Sequence, residues 1–365
     1  MTEHLVHPGA LHDWVNALWC AAGSNADEAR LTADMLVGAN LTGHDSHGVG
    51  MLPRYVQSWR ANELQLNQQL LELGRSGSLL RLDGQRGMGP VMAFEAMRRA
   101  ISIARDDGVC VMGLRHAHHI GRIGQWAEQA VAAGLVSVHF VNSVSKPVVA
   151  PHGGRQARFV TNPFAVGIPV PGREPLLLDF ATSAIAMGKV RVAHNKGELV
   201  PPGALIDAAG QPTQDPGVMF PPDGAAHGAL LPFAAHKGYA LAMVCEVLGA
   251  ALTGGDTTRP ATTTMRHGVW NNMLTILFDP LRLNGASPFG AEAEAFVDWV
   301  RSAALAPDGA PIQMPGEPER AARRARAQAI PIDAETLAEL DQAAASVAAA
   351  SGHRCEPLSA RTRAA

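Results

Sequence analysis

The apolar residues of this chain change their spacing near residue 76, and that change limits the folds open to it. Before it they recur every three or four positions, as one face of a helix requires. Leu11, Val15, Leu18 and Trp19 form one such stripe, closed by Gly23, and Ala29, Leu31, Met35, Leu36 and Ala39 form a second. Asn25 is placed to cap the second helix, with Asp27 and Glu28 in the first turn, where the helix dipole favours acids. A third helix runs through "GVGMLPRYVQSWR", where Pro53 must lie in the first turn or kink the helix.

After residue 76, short runs suited to strands alternate with longer amphipathic stretches. "GSLLRLDG", "VCVMGLR", "LVSVHFV", "FAVGIPV", "PLLLDFA" and "MLTILFD" read as strands, with a histidine-rich loop following the second. "GPVMAFEAMRRAISIARDDG", "QWAEQAVAAG" and "HKGYALAMVCEVLGAALTGG" read as helices, and three more finish the chain at about 289–304, 317–328 and 334–349. Residues 195–232 hold many Gly and Pro with little periodicity and read as a long functional loop region. The mixture predicts an α/β (α+β) protein. Residues 1–75 form an N-terminal helical part, 76–310 a sheet domain with helical insertions, 311–350 helices packing against the N-terminal part, and 351–365 a frayed tail.

No apolar run reaches the ~18 residues that span a bilayer, so no membrane partner is expected. The opening "MTEHLVHPGA" lacks the basic and apolar segments of a signal peptide, and Cys20, Cys110, Cys245 and Cys355 follow no pattern. Both point to the cytoplasm. A net charge of −3 gives no general attraction for nucleic acid.

Fifteen histidines are the unusual total, and several lie among glycines. In "GHDSHGVG", Ser46 or Asp45 is placed to cap the next helix, a role that needs neither His44 nor His47. A helix start disfavours imidazolium, and a neutral imidazole there can exchange a proton with a substrate oxygen. Capping alone and proton transfer both remain open. In "RHAHHIGRIGQWAE", His116, His118 and His119 raise zinc, but adjacent histidines point apart and no further ligand follows at a familiar interval. Gly121 and Gly124 flank Arg122 before a helix, which suits backbone close to a bound anion; plain loop histidines are the third reading. Asp179 ends a strand before Thr182 and Ser183, as a cap or as an acceptor for a histidine or a ribose. His236 and Lys237 open an apolar helix, as a surface pair or to meet phosphate. Neither a strand followed by GxGxxG nor a Walker sequence is present. Pattern alone stops at an enzyme-like α/β protein.

Several long motifs in one order carry the reading further. "ANLTGHDSHGVGMLPRYV", "HHIGRIGQWAEQA", "VVAPHGG", "TNPFAVGIP", "LLLDFATSAIAMGKVRVA", "VPPGALID" and "HKGYALAMVCEVLGAALTGG" resemble the type-2 malate/L-lactate dehydrogenase family over about residues 5–345. The resemblance implies a non-Rossmann fold. Its central, largely antiparallel sheet binds the nicotinamide cofactor beside a helical part made from both chain ends, in a homodimer. It implies an NAD-dependent 2-hydroxycarboxylate dehydrogenase or 2-oxo acid reductase, with NADP the other cofactor option and aromatic 2-oxo acids such as phenylpyruvate among the substrates. The same family offers an alternative, an NADPH-dependent reductase of a cyclic imine carboxylate or a ureidoglycolate dehydrogenase. From the family's motifs, His47 and His119 are the acid/base histidines, and Asp179 orients a histidine or the cofactor. Cofactor contacts fall on His47, Gly121, Arg122, Ile123, on Leu177, Leu178, Asp179, Phe180 and Ala181, and on His236, Asn271, Pro315, Gly316 and Glu317. Substrate contacts fall on Ser46, His47, Met51, Arg54 and His119. No metal is implied. Two readings from other classes stand beside it, a zinc hydrolase using the histidine cluster and a non-catalytic binding protein.

Many members continue the first motif as SHGVxR, with an arginine gripping the substrate carboxylate; here that residue is Met51. Arg54 or Arg122 is then expected to replace it, and Met51 to leave an apolar wall for larger side chains. Met51→Arg should shift the kcat/KM ratio from phenylpyruvate towards small or dicarboxylic 2-oxo acids, and an unchanged ratio would sink the idea.

Overall fold

One seven-stranded sheet organises the protein in its computed structural model, which describes residues 3–284, 289–307 and 309–364. In chain order the strands are β1 (Glu3–Val6), β2 (Leu71–Ser76), β3 (Leu79–Asp83), β4 (Val109–His118), β5 (Val136–Val144), β6 (Phe164–Ile168), β7 (Leu176–Phe180), β8 (Leu205–Ile206), β9 (Pro212–Thr213), β10 (Ala229–Leu230), β11 (Trp270–Phe278), β12 (Ile330–Asp333) and β13 (Arg363–Ala364). The helices are α1 (Pro8–Ala22), α2 (Ala26–Leu41), α3 (Leu52–Arg60), α4 (Gly89–Asp107), α5 (Gly124–Ala132), α6 (Met187–Lys196), α7 (His236–Glu246), α8 (Pro280–Asn284), α9 (Phe289–Arg301), α10 (Glu317–Ala325) and α11 (Ala334–Ser351).

The large sheet runs β2-β3-β4-β11-β5-β6-β7, and only β3 and β4 pair in parallel. A largely antiparallel sheet, whose parallel pair β3 and β4 is joined by α4 without a GxGxxG turn, matches the expected class. On one face, Met92, Met97 and Ile101 of α4 and Trp126 of α5 join Met112, Leu114 and Met273 in a buried core. On the other, α7 continues into a π-helical turn, Val247–Ala251, whose Gly249 lies so close to β5 that a Cβ would sit 2.9 Å from Asn142 N and Phe140 O.

The helical part draws on both chain ends. Leu11, Trp19, Leu36 and Tyr55 share one core with Ile330, Leu340 and Val347, and β1 pairs antiparallel with β12 from Val6 opposite Ile330. The caps read from sequence hold here: Gly23 takes a left-handed φ of 105° after α1, and Asn25 accepts the Glu28 N–H at 2.9 Å. Among the described residues no helix is long and apolar enough to cross a membrane.

Four local expectations are corrected. The weak alternation of "LELGRS" hides a strand, β2, whose residues lie at the sheet edge. The histidine-rich loop is largely strand, because β4 continues through His118. Residues 195–232 fold as the end of α6 and a small sheet of order β10-β8-β9, packed through Val200, Leu205, Met219 and Leu230; strands of two residues leave no periodic trace. The tail is docked rather than frayed: Leu358 is buried, Trp14 Nε1 donates to Glu356 O at 2.8 Å, and β13 pairs with β1.

Two histidines are buried in the central strands. His139 meets Thr275 Oγ1 through Nδ1 at 2.9 Å, and His118 lies edge-on to the Tyr55 ring with neither nitrogen partnered among the described residues. Burial depresses both from 6.5 to about 3. Between those values the unfolded chain binds a proton that the folded one refuses, so stability falls as pH drops below about 6.5. Each histidine contributes a slope of at most about 1.4 kcal/mol per pH unit. Urea unfolding from pH 7.5 to 4.5 should show that decline, and His139→Asn should flatten it by up to one proton; an unchanged slope in the variant would contradict the assignment.

Candidate active site

The central strands β4, β11 and β5 carry a file of buried amides that seats the second histidine motif. The β4–β11 register shifts between Asn271 and Met273, and His116 adopts a left-handed φ of 52° opposite that shift. Asn271 Oδ1 accepts the Ile120 N–H at 2.9 Å, while its Nδ2 donates to Asn142 O at 3.0 Å and Ser143 Oγ at 2.9 Å. Asn272 Oδ1 accepts the His116 N–H at 2.8 Å and its Nδ2 donates to Asn142 Oδ1 at 2.8 Å. Asn142 and Asn162 both donate to the buried carboxylate of Glu246 on α7, which also accepts the Thr258 N–H. Gly89, at the start of α4, lets that helix press on the histidine backbone; a Cβ there would lie 2.1 Å from His119 O.

His47 arrives from the opposite side, on a 3-10 turn, Asp45–His47, after α2. Neither Asp45 nor Ser46 caps the following helix, which corrects the expected role. Asn40 does that work from nine residues upstream, accepting the Val49 N–H at 2.8 Å, and Gly48 is required because a Cβ would lie 2.2 Å from Asn40 Oδ1. Asp45 instead pairs with Arg326 at 2.7 and 3.0 Å, and His44 meets Glu319 at 3.3 Å. Ser46 Oγ lies 3.0 Å from His47 Nδ1.

The two predicted histidines come together. The rings of His47 and His119 stack with centroids 5.6 Å apart and planes at 26°. Tyr55 Oη lies 2.7 Å from His119 Nδ1 and 3.1 Å from His119 O. Both Nδ1 atoms are thus engaged, and neither Nε2 has a protein partner among the described residues. Burial lowers His47 to about 4, with Asp179 opposing the shift and His44 and Arg122 adding to it. Burial, then the neighbouring His47, His118 and Arg54, hold His119 well below its ordinary value. Tyr55 is pushed upward by burial and stays protonated.

The expected cofactor segments converge beside this pair, on edge strand β7. Asp179 Oδ2 accepts the first N–H of α5, from Gly124, at 2.8 Å; Leu177 N donates to Pro315 O at 3.1 Å; and Gly316, at a left-handed φ of 91°, leaves room for Leu177. Phe180 packs against Phe233, three residues before the exposed His236. Asp179 does cap a helix, but the helix is α5, and among the described residues no hydrogen bond joins it to a histidine. That carboxylate takes the α5 start, where an anion was expected. Arg122 is buried between Glu128 at 2.6 Å and Asp179 at 3.8 Å, and Asn271 spends its side chain on the protein. Glu317 pairs with Arg301 and accepts the Met314 N–H at 2.8 Å.

Arg54 donates to the carbonyls of His267 at 2.8 Å and Gly268 at 3.3 Å, on a loop that Glu63 holds through three backbone N–H groups. Its remaining nitrogen, Nη1, has no protein partner among the described residues. Met51 packs on the helical core. The zinc spacing gathers nothing: His116 lies between Asp83 and Asp256, His118 packs on Tyr55, and His119 bonds Tyr55. Among the described residues no three His, Cys, Asp or Glu side chains come together as metal ligands.

Sequence reasoning missed Tyr55, which reads as one more apolar position of α3, and the Asn142–Glu246 file. The second left a signal, asparagines inside the apolar runs "VHFVNSV" and "WNNMLTI".

The family model for malate/L-lactate dehydrogenase matches residues 6–341. Hydroxycarboxylate dehydrogenase B of Escherichia coli is 50% identical over 333 residues, 91% of each chain. An L-lactate dehydrogenase of Cupriavidus necator is 42% identical over 83% of this chain and 86% of its own. The solved structure of a delta1-piperideine-2-carboxylate reductase from Pseudomonas syringae superimposes with a TM-score of 0.81 at 30% identity, covering 93% of this chain and 99% of its own.

Removing the amide that seats Ile120 should disturb this geometry first. Asn271→Leu leaves a buried N–H and a buried carbonyl unpaired, at about 1–3 kcal/mol each. Chemical unfolding should show at least that loss; a variant as stable as wild type would contradict the seating role.

Proposed function

Because the chain belongs to the malate/L-lactate dehydrogenase family, we propose that this oxidoreductase of hydroxy acids is an NAD-dependent 2-hydroxycarboxylate dehydrogenase, working in reverse as a 2-oxo acid reductase. The stacked His47–His119 pair, with both Nδ1 atoms engaged and both rings held neutral by burial, is the observation that carries this reading. NAD(H), when bound, supplies or accepts the hydride at C2 of the substrate. Residues 121–123, 177–181 and 315–317, with His236, are the ones that would hold it: Asp179 takes the start of α5, Leu177 pairs with Pro315, and Phe233, just before His236, packs on Phe180.

His47 is the proton donor in reduction. It is the half-buried member of the pair, and the charge of Asp179 favours its protonated form. Its imidazolium gives a proton to the oxygen on C2, and in oxidation the neutral ring takes it back. A positioned imidazole contributes ~10²–10⁴-fold to such a step. Tyr55 donates to Nδ1 of His119, at 2.7 Å a nearer acceptor than the carbonyl at 3.1 Å, so that His119 presents an Nε2–H that polarises the substrate carbonyl. Asp179 acts at a distance, through charge and through the start of α5. Arg54 Nη1 is the cation left for the substrate carboxylate, since Arg122 is enclosed by two acids. Aromatic 2-oxo acids such as phenylpyruvate are proposed as substrates from the family resemblance alone, since Met51 packs on the helical core. The four unpaired cysteines suit the cytoplasm.

A second reading, an NADPH-dependent reductase of cyclic imine carboxylates, draws on the structural likeness to the piperideine carboxylate reductase. Loss of absorbance at 340 nm separates the two, with NADH and NADPH against pyruvate, oxaloacetate, phenylpyruvate and a cyclic imine carboxylate. Turnover of a 2-oxo acid with NADH is expected, rising in kcat/KM as pH falls from 8 to 6 because the neutral pair must acquire a proton. His47→Ala should lower it ~10²–10⁴-fold. Turnover confined to the imine with NADPH would replace the first reading with the second.

A further inference from the structure

We propose that the small lobe carries a second ligand site, for a compact polyanion with a phosphate group, separate from the histidine pair. A cavity of about 570 Å³ lies between the β8–β10 sheet and residues 146–158. That size is typical of small-molecule sites. Lys146, Arg155, Arg158 and His227 line it over an apolar floor that includes Met187 and Met219, and no acidic side chain is among its lining residues.

The basic groups are arranged by the protein rather than scattered. His227 Nδ1 lies 3.3 Å from Met219 O, so it donates there and its Nε2 accepts from Lys146 Nζ at 2.9 Å. That fixes the tautomer and holds the ammonium at the cavity with two N–H groups to spare. Arg158 is steadied by Ala157 O at 2.9 Å and Gln156 Oε1 at 2.7 Å, which leaves its Nε–H and one further N–H on each Nη. Arg155 has no hydrogen bond or ion pair among the described residues, and its stem is seated against Gly210, where a Cβ would come 2.9 Å from Arg155 Cβ. Three permanent cations around one concavity repel each other with no counter-charge in its lining, and an anion relieves that repulsion. Guanidinium groups favour phosphate because its oxygens accept paired N–H bonds. The site is distinct from the histidine pair but adjoins it: Met187 opens α6, and its neighbour Gly188 packs on Ser46, where a Cβ would come 2.9 Å from Ser46 Cβ.

Titration calorimetry of the whole protein with pyrophosphate tests the proposal without relying on any activity, so it stands or falls apart from the proposed reaction. Saturable binding is expected both alone and with saturating NADH. The double variant Arg155→Ala/Arg158→Ala should weaken it at least tenfold with melting temperature and NADH affinity unchanged, and Lys146→Ala should weaken it as well. No binding by the wild type, equal binding by the double variant, or loss of binding under NADH would each overturn it, the last by assigning pyrophosphate to the cofactor site.

Discussion

The side chain of Asn271 is the interaction on which the rest of the site depends. Its three hydrogen bonds join the backbone after His119 to strand β5, in the middle of the sheet, where no water competes. A buried amide left half-satisfied is costly, so the neighbouring groups are completed in turn: Asn272 by His116 and Asn142, Asn142 and Asn162 by Glu246. The file runs from β4 to α7 and converts a shift in strand register into a defined exit for His119. Tyr55 then fixes the ring, and Gly89 allows α4 to support the chain from behind.

Burial does the second part of the work. Two imidazolium rings stacked at 5.6 Å would repel, and desolvation keeps both neutral before a substrate arrives. The pair is nevertheless unequal. His47 stands partly exposed within the field of Asp179, whereas His119 faces Arg54 and two other histidines. One ring is therefore suited to carry a proton and the other to offer a neutral N–H. Arg122 limits the help Asp179 can give, although its shorter contact is to Glu128, at 2.6 Å against 3.8 Å.

Much of this was legible in the chain because local chemistry decided it. The α1 stripe, the Gly23 and Asn25 caps and the long strands follow from spacing and turn residues, whereas α2 buries Ala33 and Val37 in place of Leu31 and Met35. What escaped was decided by partners distant in sequence. Ser46 and Asp45 look like caps until Asn40 is seen to hold Val49, and the Asp179 cap serves a helix that begins 55 residues before it. Tyr55 is indistinguishable from its apolar neighbours until its hydroxyl meets His119. The strands of the small lobe are too short to have a period, and the docked tail depends on Trp14 finding Glu356 across the molecule. His47 and His119 were named through family motifs; their stacking is a property of the fold.

Protonation of the pair is the central claim, and it can be observed directly. The protein would be labelled with ¹⁵N-histidine, its ring signals assigned with His47→Gln and His119→Gln, and titrated from pH 8 to 5. The account predicts that both rings stay neutral to pH 5.5, with the His119 proton on Nε2. Rings that titrate near 6.5, the ordinary value, would contradict it.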